Sequence, residues 1–240
     1  MLKFFRVLLL GILMVCWFVL GLLLCLARPR HRNNSYLLSR WGLHLACPLL
    51  GIKVKLVIPE QCRNLGPAIY AANHQTNWDI MVMTGVVRPG VVAVGKKSLL
   101  WIPLFGALFY LGGNILIDRG NRSKAIDTIM QVVDRIRGRR ISVWMFPEGT
   151  RSKGRGLLPF KTGAFHTALQ AKVPVVPVVA SSYAEQIDLN RWDNGEVIVE
   201  MLLPVSTDGW RRESIRQHGD EIRAVMTAKL AELDAQVRRP

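Results

Sequence analysis

Cysteine is scarce in this chain of 240 residues: Cys16, Cys25, Cys47 and Cys62 stand apart, and no two form a CxxC pair. That spacing argues against the common zinc and dithiol motifs, and scattered thiols suit a reducing compartment, where disulfides are rare. Acidic residues are scarce as well, 17 Asp and Glu against 32 Lys and Arg, for a formal net charge of +15. A surface of that sign attracts anions, whether nucleic acid, anionic lipid or phosphorylated small molecules. No GxSxG nucleophile elbow, helix-turn-helix, RNA-binding signature, repeat or low-complexity linker is present. The length then fits one α/β domain with a membrane element attached.

The longest stretch lacking charge is residues 7–27, VLLLGILMVCWFVLGLLLCLA. About 20 residues of helix cross a ~30 Å hydrocarbon core, so the run serves either a span or a helix lying in one leaflet. A cleaved signal would have a shorter apolar region and a small-residue cleavage site, whereas Ala27-Arg28-Pro29 follows here. Arg28, Arg30 and Arg32 favour a cytoplasmic carboxyl-terminal side. Residues 35–50 read as a second, amphipathic helix, with Ser35 as its cap, Tyr36, Leu37, Trp41, Leu45 and Leu49 near helical spacing, and Pro48 near its end. It packs on the first helix or lies on the lipid surface. Residues 1–52 thus form a membrane-associated two-helix element and 53–240 the α/β domain.

Within the domain, 53–57, 68–72, 91–94, 114–117, 141–146, 175–179 and 197–201 read as short apolar strands. Helical patterns separate several of them. One over 123–137 places Ile126, Ile129, Met130, Val133 and Ile136 on one face; another over 211–238 aligns Ile215, Ile222, Met226, Leu230 and Leu233. Such alternation implies a mostly parallel sheet flanked by helices. Residues 98–117 also lack charge, but Pro103, Gly106 and Gly112-Gly113 break the run. They read as short helices leading to a strand, with Trp101, Leu104, Phe105, Phe109 and Tyr110 exposed to the bilayer surface.

Chemistry concentrates at strand ends, where ligands bind in parallel sheets. Asn73-His74-Gln75-Thr76-Asn77-Trp78-Asp79 follows one strand. A turn through Gln75-Thr76-Asn77 brings Asp79 to one ring nitrogen of His74 and frees the other as a general base. Alone, such a pair more often caps a helix. A second segment, Phe146-Pro147-Glu148-Gly149-Thr150-Arg151-Ser152, also follows a strand. Gly149 permits close approach of the backbone to a ligand, Arg151 suits phosphate, and Lys153, Arg155 and Lys161 add charge. Glu148 either binds a substrate hydroxyl or orients Arg151. Ile117-Asp118-Arg119 ends a further strand and offers Arg119 as a second phosphate clamp. His31, His166 and His218 have no carboxylate at comparable spacing and read as non-catalytic.

These segments resemble the ordered motif blocks of the glycerolipid acyltransferases. NHQTNWD is similar to their NHxxxxD block, Gly95-Lys96-Lys97 through Asp118-Arg119 to the second, FPEGTRS to the third, and Val173-Pro174-Val175-Val176-Pro177-Val178 to the fourth. The likeness covers about residues 50–205 and is greatest to the bacterial type acting on 1-acylglycerol 3-phosphate. It implies acyl transfer from acyl-CoA or acyl-carrier protein to the sn-2 hydroxyl of that lysophosphatidate at the cytoplasmic face of a bacterial inner membrane. His74 and Asp79 would be catalytic; Arg119, Glu148, Gly149, Thr150, Arg151 and Lys161 would hold glycerol phosphate. The resemblance calls for no metal and no bound cofactor. Membrane lipids are the expected partners and nucleic acid is not.

Overall fold

The computed structural model describes residues 1–117 and 124–240; of Trp41, Gly42, Leu43, Lys124, Ala125, Ile126 and Thr128 it describes the backbone alone. Asp118, Arg119 and Ser123 therefore lie outside the described residues, as do the side chains of Trp41 and Ile126. In chain order the elements are α1 (Leu2–Ala27), α2 (Asn34–Leu49), β1 (Lys53–Val57), α3 (Glu60–Arg63), β2 (Ile69–Ala72), α4 (Asp79–Val82), β3 (Val91–Lys96), α5 (Phe105–Leu111), β4 (Ile115–Ile117), α6 (Lys124–Arg139), β5 (Ser142–Met145), α7 (Gly163–Ala171), β6 (Val175–Ala180), β7 (Glu196–Met201) and α8 (Ile215–Gln236).

The strands form one sheet in the order β1-β7-β6-β2-β5-β3-β4. All neighbours are parallel except β6 and β7. Because successive side chains point to opposite faces of a strand, each central strand feeds two cores. Ile69, Ala71, Val143, Val175 and Val179 face α6, α7 and α8 through Val133, Ile136, Phe165 and Met226. Tyr70, Ala72, Trp144, Val176 and Val178 face the other way, toward Cys47 and Leu50 of the α2 end and Val82 of α4. Burial on both faces is why these strands read as near-continuous apolar runs rather than alternating ones.

Two local expectations change. Ser35 does not cap α2; it lies in the first turn, and its hydroxyl bonds Asn114 Oδ1 at 2.9 Å, tying the helix to the turn before β4. In α6, Val132 is buried and Met130 is exposed. The contact face is centred on Ile129, Val132, Val133 and Ile136, which carries Met130 round to its rim. Trp101, Leu104 and Tyr110 are exposed as expected, whereas Phe105 and Phe109 are half-buried, Phe105 against Phe18 of α1.

Among the described residues, α1 is the one helix long and apolar enough to cross a membrane. Both of its ends are nonetheless fastened to the α/β body. At the amino end the Arg6 guanidinium is buried and donates to the carbonyls of Leu189 (3.2 Å), Trp192 (3.1 Å) and Arg191. Toward its carboxyl end, Gly21 lets Leu38 of α2 and Leu108 of α5 approach closely. Just beyond the carboxyl end the Arg30 N–H meets Leu111 O at 2.8 Å. Twenty-six residues at 1.5 Å each make α1 about 39 Å long. The helix lies along the body for that length and keeps Phe4, Leu8, Ile12, Val15, Val19 and Leu23 exposed.

Candidate active site

β2 ends at Ala72, and the next residue anchors the loop. The Asn73 side chain donates to Ala180 O (2.8 Å) and accepts from Ala180 N (2.9 Å), pinning the loop to the end of β6. Gln75 repeats the device: its amide nitrogen donates to Ser181 O (2.8 Å) and its oxygen accepts from Tyr183 N (2.9 Å). Between these anchors the chain has one course, and it carries His74 to Asp79 at the start of α4. His74 Nδ1 lies 2.5 Å from Asp79 Oδ2. The imidazole is stacked on Phe146, with centroids 4.0 Å apart and planes 15° from parallel. Asp79 is almost wholly enclosed, whereas about a quarter of the His74 side chain is exposed.

Each oxygen of Asp79 has further donors. Oδ2 accepts from Gln75 N at 2.8 Å, and Oδ1 accepts from Thr76 N at 3.2 Å and from the hydroxyl of Tyr183. A carboxylate so surrounded is fixed in place and holds His74 with Nδ1 engaged, leaving Nε2 for a substrate proton.

The loop after β5 is laced to this one. Ser152 N donates to His74 O (2.7 Å), and Lys153 N to Gln75 O (3.1 Å). Glu148 is buried and takes two backbone donors, His74 N at 2.6 Å and Leu158 N at 3.0 Å. Burial pushes its carboxyl pKa above the usual value, and the two N–H groups offset that only in part. Its carboxylate thus joins two loops, and Arg151, which the sequence offered as one partner, bonds Asn77 instead. Gly149 has φ +71°, and a Cβ there would lie 2.9 Å from Lys161 Cε and Nζ, so glycine lets the lysine head lie against the loop. Arg151 bonds the Asn77 side chain, a further link between the basic loop and the His74 loop. Thr150 is exposed. Arg119 lies outside the described residues. Lys96 and Lys97 are exposed at the end of β3.

Beside the dyad runs a groove of about 560 Å³. Arg151, Lys153 and Glu185 line it together with Trp78, Ile80, Met81 and Met14 of α1. A groove charged by one loop and greased by a membrane-type helix has the two chemistries of an amphiphile.

The match to a known family now decides the class. Residues 53–181 fit the model of the family described as Acyltransferase. The chain belongs to the acyltransferase family. It is 49% identical to a protein of Salmonella typhimurium and 48% identical to one of Escherichia coli, both called 1-acyl-sn-glycerol-3-phosphate acyltransferase; each alignment covers 99% of this chain and 96% of the relative. The solved structure of the 1-acyl-sn-glycerophosphate acyltransferase PlsC from Thermotoga maritima has the same fold, with a TM-score of 0.72 over 98% of this chain and 95% of that one at 22% identity.

Within this acyltransferase the structure adds Tyr183 and Met14, which the sequence reading passed over, and gives side-chain roles to Asn73 and Gln75. Tyr183, Gln75 and Asn73 build the cradle of the dyad, and Met14 brings α1 into the groove wall. Ser181-Ser182-Tyr183 leaves the carboxyl end of β6. The strand-end rule that singled out His74 and Glu148 applies equally to it, and that was the available signal. Two of the other histidines are engaged elsewhere: His218 stacks on Trp210 at 4.4 Å and His31 contacts Arg28.

Proposed function

We propose that this acyltransferase moves a fatty acyl group from acyl-CoA or acyl-carrier protein to the sn-2 hydroxyl of 1-acylglycerol 3-phosphate, giving phosphatidate. The observation that carries the mechanism is His74, about a quarter exposed, held at Nδ1 by the enclosed Asp79. Nε2 takes the proton of the sn-2 hydroxyl, and that oxygen attacks the thioester carbonyl. The tetrahedral intermediate collapses with cleavage of the C–S bond. The thiolate leaves with the proton carried by His74, and Asp79 stabilises the imidazolium between the two transfers. Every proton is returned, and the proposed cycle calls for no metal or bound cofactor.

Arg151, Lys161 and Thr150 border the basic loop and are assigned to the glycerol phosphate, together with Arg119. Glu148 and Gly149 serve that loop by shaping it. The names of the relatives support this acceptor. Fixed at both ends to the body, α1 suits a helix lying in one leaflet with its apolar side toward lipid. Since both donors are cytosolic thioesters, the site is assigned to the cytoplasmic face of a bacterial inner membrane.

The test is acyl transfer from labelled acyl-CoA to lysophosphatidate in membranes, wild type against His74→Ala at equal expression. Phosphatidate formed by the wild type and reduced about 10²–10⁴-fold in the variant supports the reading. Equal product from both sinks the mechanism. Product with glycerol 3-phosphate or another lysolipid, and none with lysophosphatidate, sinks the acceptor. Placement on the membrane is checked with Glu60→Cys, because the native Cys62 is buried and Glu60 is open. Labelling by an impermeant thiol reagent from the periplasmic side would contradict it.

A further inference from the structure

The far end of the sheet from His74 carries a second charged feature. Arg30 and Arg32 from the turn after α1, with Arg135 and Arg139 from the last turns of α6, line a notch backed by Val92, Gly113 and Ile141. Those three backing residues stand at or just before the amino ends of β3, β4 and β5, whereas the dyad and the basic loop leave the carboxyl ends of β2 and β5. The notch is therefore separate from the active site.

No Asp or Glu lines it, and none of the four arginines is in an ion pair among the described residues. Their contacts are to neutral groups. Arg30 lies over the Tyr110 ring at 4.8 Å, Arg32 reaches Arg140 O at 3.5 Å, and Arg139 reaches Arg30 O at 3.4 Å. Arg30 Nε is buried without a hydrogen-bond partner. The Arg30 backbone is also left-handed, with φ 54°, a conformation that costs energy outside glycine. Burial first, then repulsion from Arg30 and Arg139, pushes the pKa of Arg135 down. Among the described residues, four like charges are thus gathered with no ion-pair partner of opposite sign.

The guanidinium fork matches phosphate oxygens. The enclosed space is about 10 Å³, room for roughly one water-sized group. One phosphate oxygen enters while the remainder of its molecule stays outside, which suits a headgroup better than a fully enclosed ion. Leu23 and Leu26 of the last α1 turn are exposed a few residues before Arg30, so the notch adjoins the apolar side of that helix. We propose that this four-arginine notch binds the phosphate of an anionic membrane lipid and fixes the end of α1 remote from the active site at the headgroup level.

The test uses the full-length protein and vesicles of phosphatidylcholine, alone or with phosphatidylglycerol. Arg135→Gln/Arg139→Gln is compared with Arg212→Gln/Arg216→Gln, which removes the same charge from exposed positions at the start of α8. The notch variant should lose about tenfold or more of the phosphatidylglycerol-dependent affinity. It should keep its affinity for neutral vesicles and its rate on lysophosphatidate in detergent micelles. Arg32→Gln, an exposed rim position, should give a smaller loss in the same direction and guards against misfolding of the double variant. An equal loss in the control pair would mean that net charge alone acts, and would overturn the proposal. So would inorganic phosphate raising the Tm of wild type but not of the notch variant while both bind vesicles alike, since the site would then serve a free anion.

Discussion

Tyr183 donates its hydroxyl hydrogen bond to Asp79 Oδ1, the carboxylate oxygen that does not meet His74. The tyrosine is buried, and burial together with the charge of Asp79 raises its pKa well above the ordinary value, so it stays a donor. Hydroxyl, carboxylate and imidazole form one chain that sets the direction in which His74 faces.

Tyr183→Phe removes that donor and leaves the ring. A hydrogen bond to a charged group contributes roughly 1.5–3 kcal/mol, and part of this should appear in the rate. The expected result is a kcat lower by about tenfold, or about 1.4 kcal/mol, with KM for lysophosphatidate unchanged. Steady-state kinetics at matched thermal stability check it; an unchanged kcat would show that Asp79 is positioned by the Gln75 and Thr76 N–H groups alone.

Glu148→Gln tests the joint between the two loops. Glu148 accepts from two backbone N–H groups, whereas glutamine has one accepting oxygen and turns an NH₂ toward the other donor. One buried N–H is left unpaired, at about 1–3 kcal/mol. Tm should fall, and kcat should fall with it because His74 N is one of the two donors. A variant with wild-type Tm and rate would remove Glu148 from this role.

Arg6→Gln tests the fastening of α1. Glutamine cannot satisfy the carbonyls of residues 189, 191 and 192 that the guanidinium reaches. The loop should become a proteolytic cut site, and KM should rise because Met14 of α1 lines the groove. Limited proteolysis and kinetics read the two effects separately. Resistance to protease in the variant would argue that the helix is held by its other contacts.

Gly149→Ala places a methyl group where Lys161 lies, at a left-handed position. The backbone alone costs about 1–2 kcal/mol, and the lysine must also move. Lower Tm and a severalfold higher KM for lysophosphatidate are expected, with kcat much less affected. Loss confined to kcat would instead tie Gly149 to the reacting carbonyl.

Much of the architecture was legible because its causes are local. The apolar strands, the α8 face of Ile215, Ile222, Met226, Leu230 and Leu233, and the uncharged run of α1 are written in neighbouring residues. His74 and Asp79 are five positions apart and joined by one turn. Met130 shows the margin of such reading: the period was right, but the face that became buried was set by what packed against it.

Partners distant in sequence were another matter. Tyr183 stands 104 positions from Asp79, and Arg6 stands 183 from the Leu189 carbonyl it binds. No periodicity links residues so far apart. Residue type, order and spacing were enough to place a His-Asp base and a basic loop at strand ends and to supply an apolar helix. Packing alone decided that Glu148 holds two backbone amides, that α1 lies along the body at both ends, and that four arginines meet with no acid between them among the described residues. Those outcomes depend on which surfaces the sheet brings together, and a linear pattern does not contain the distances between them.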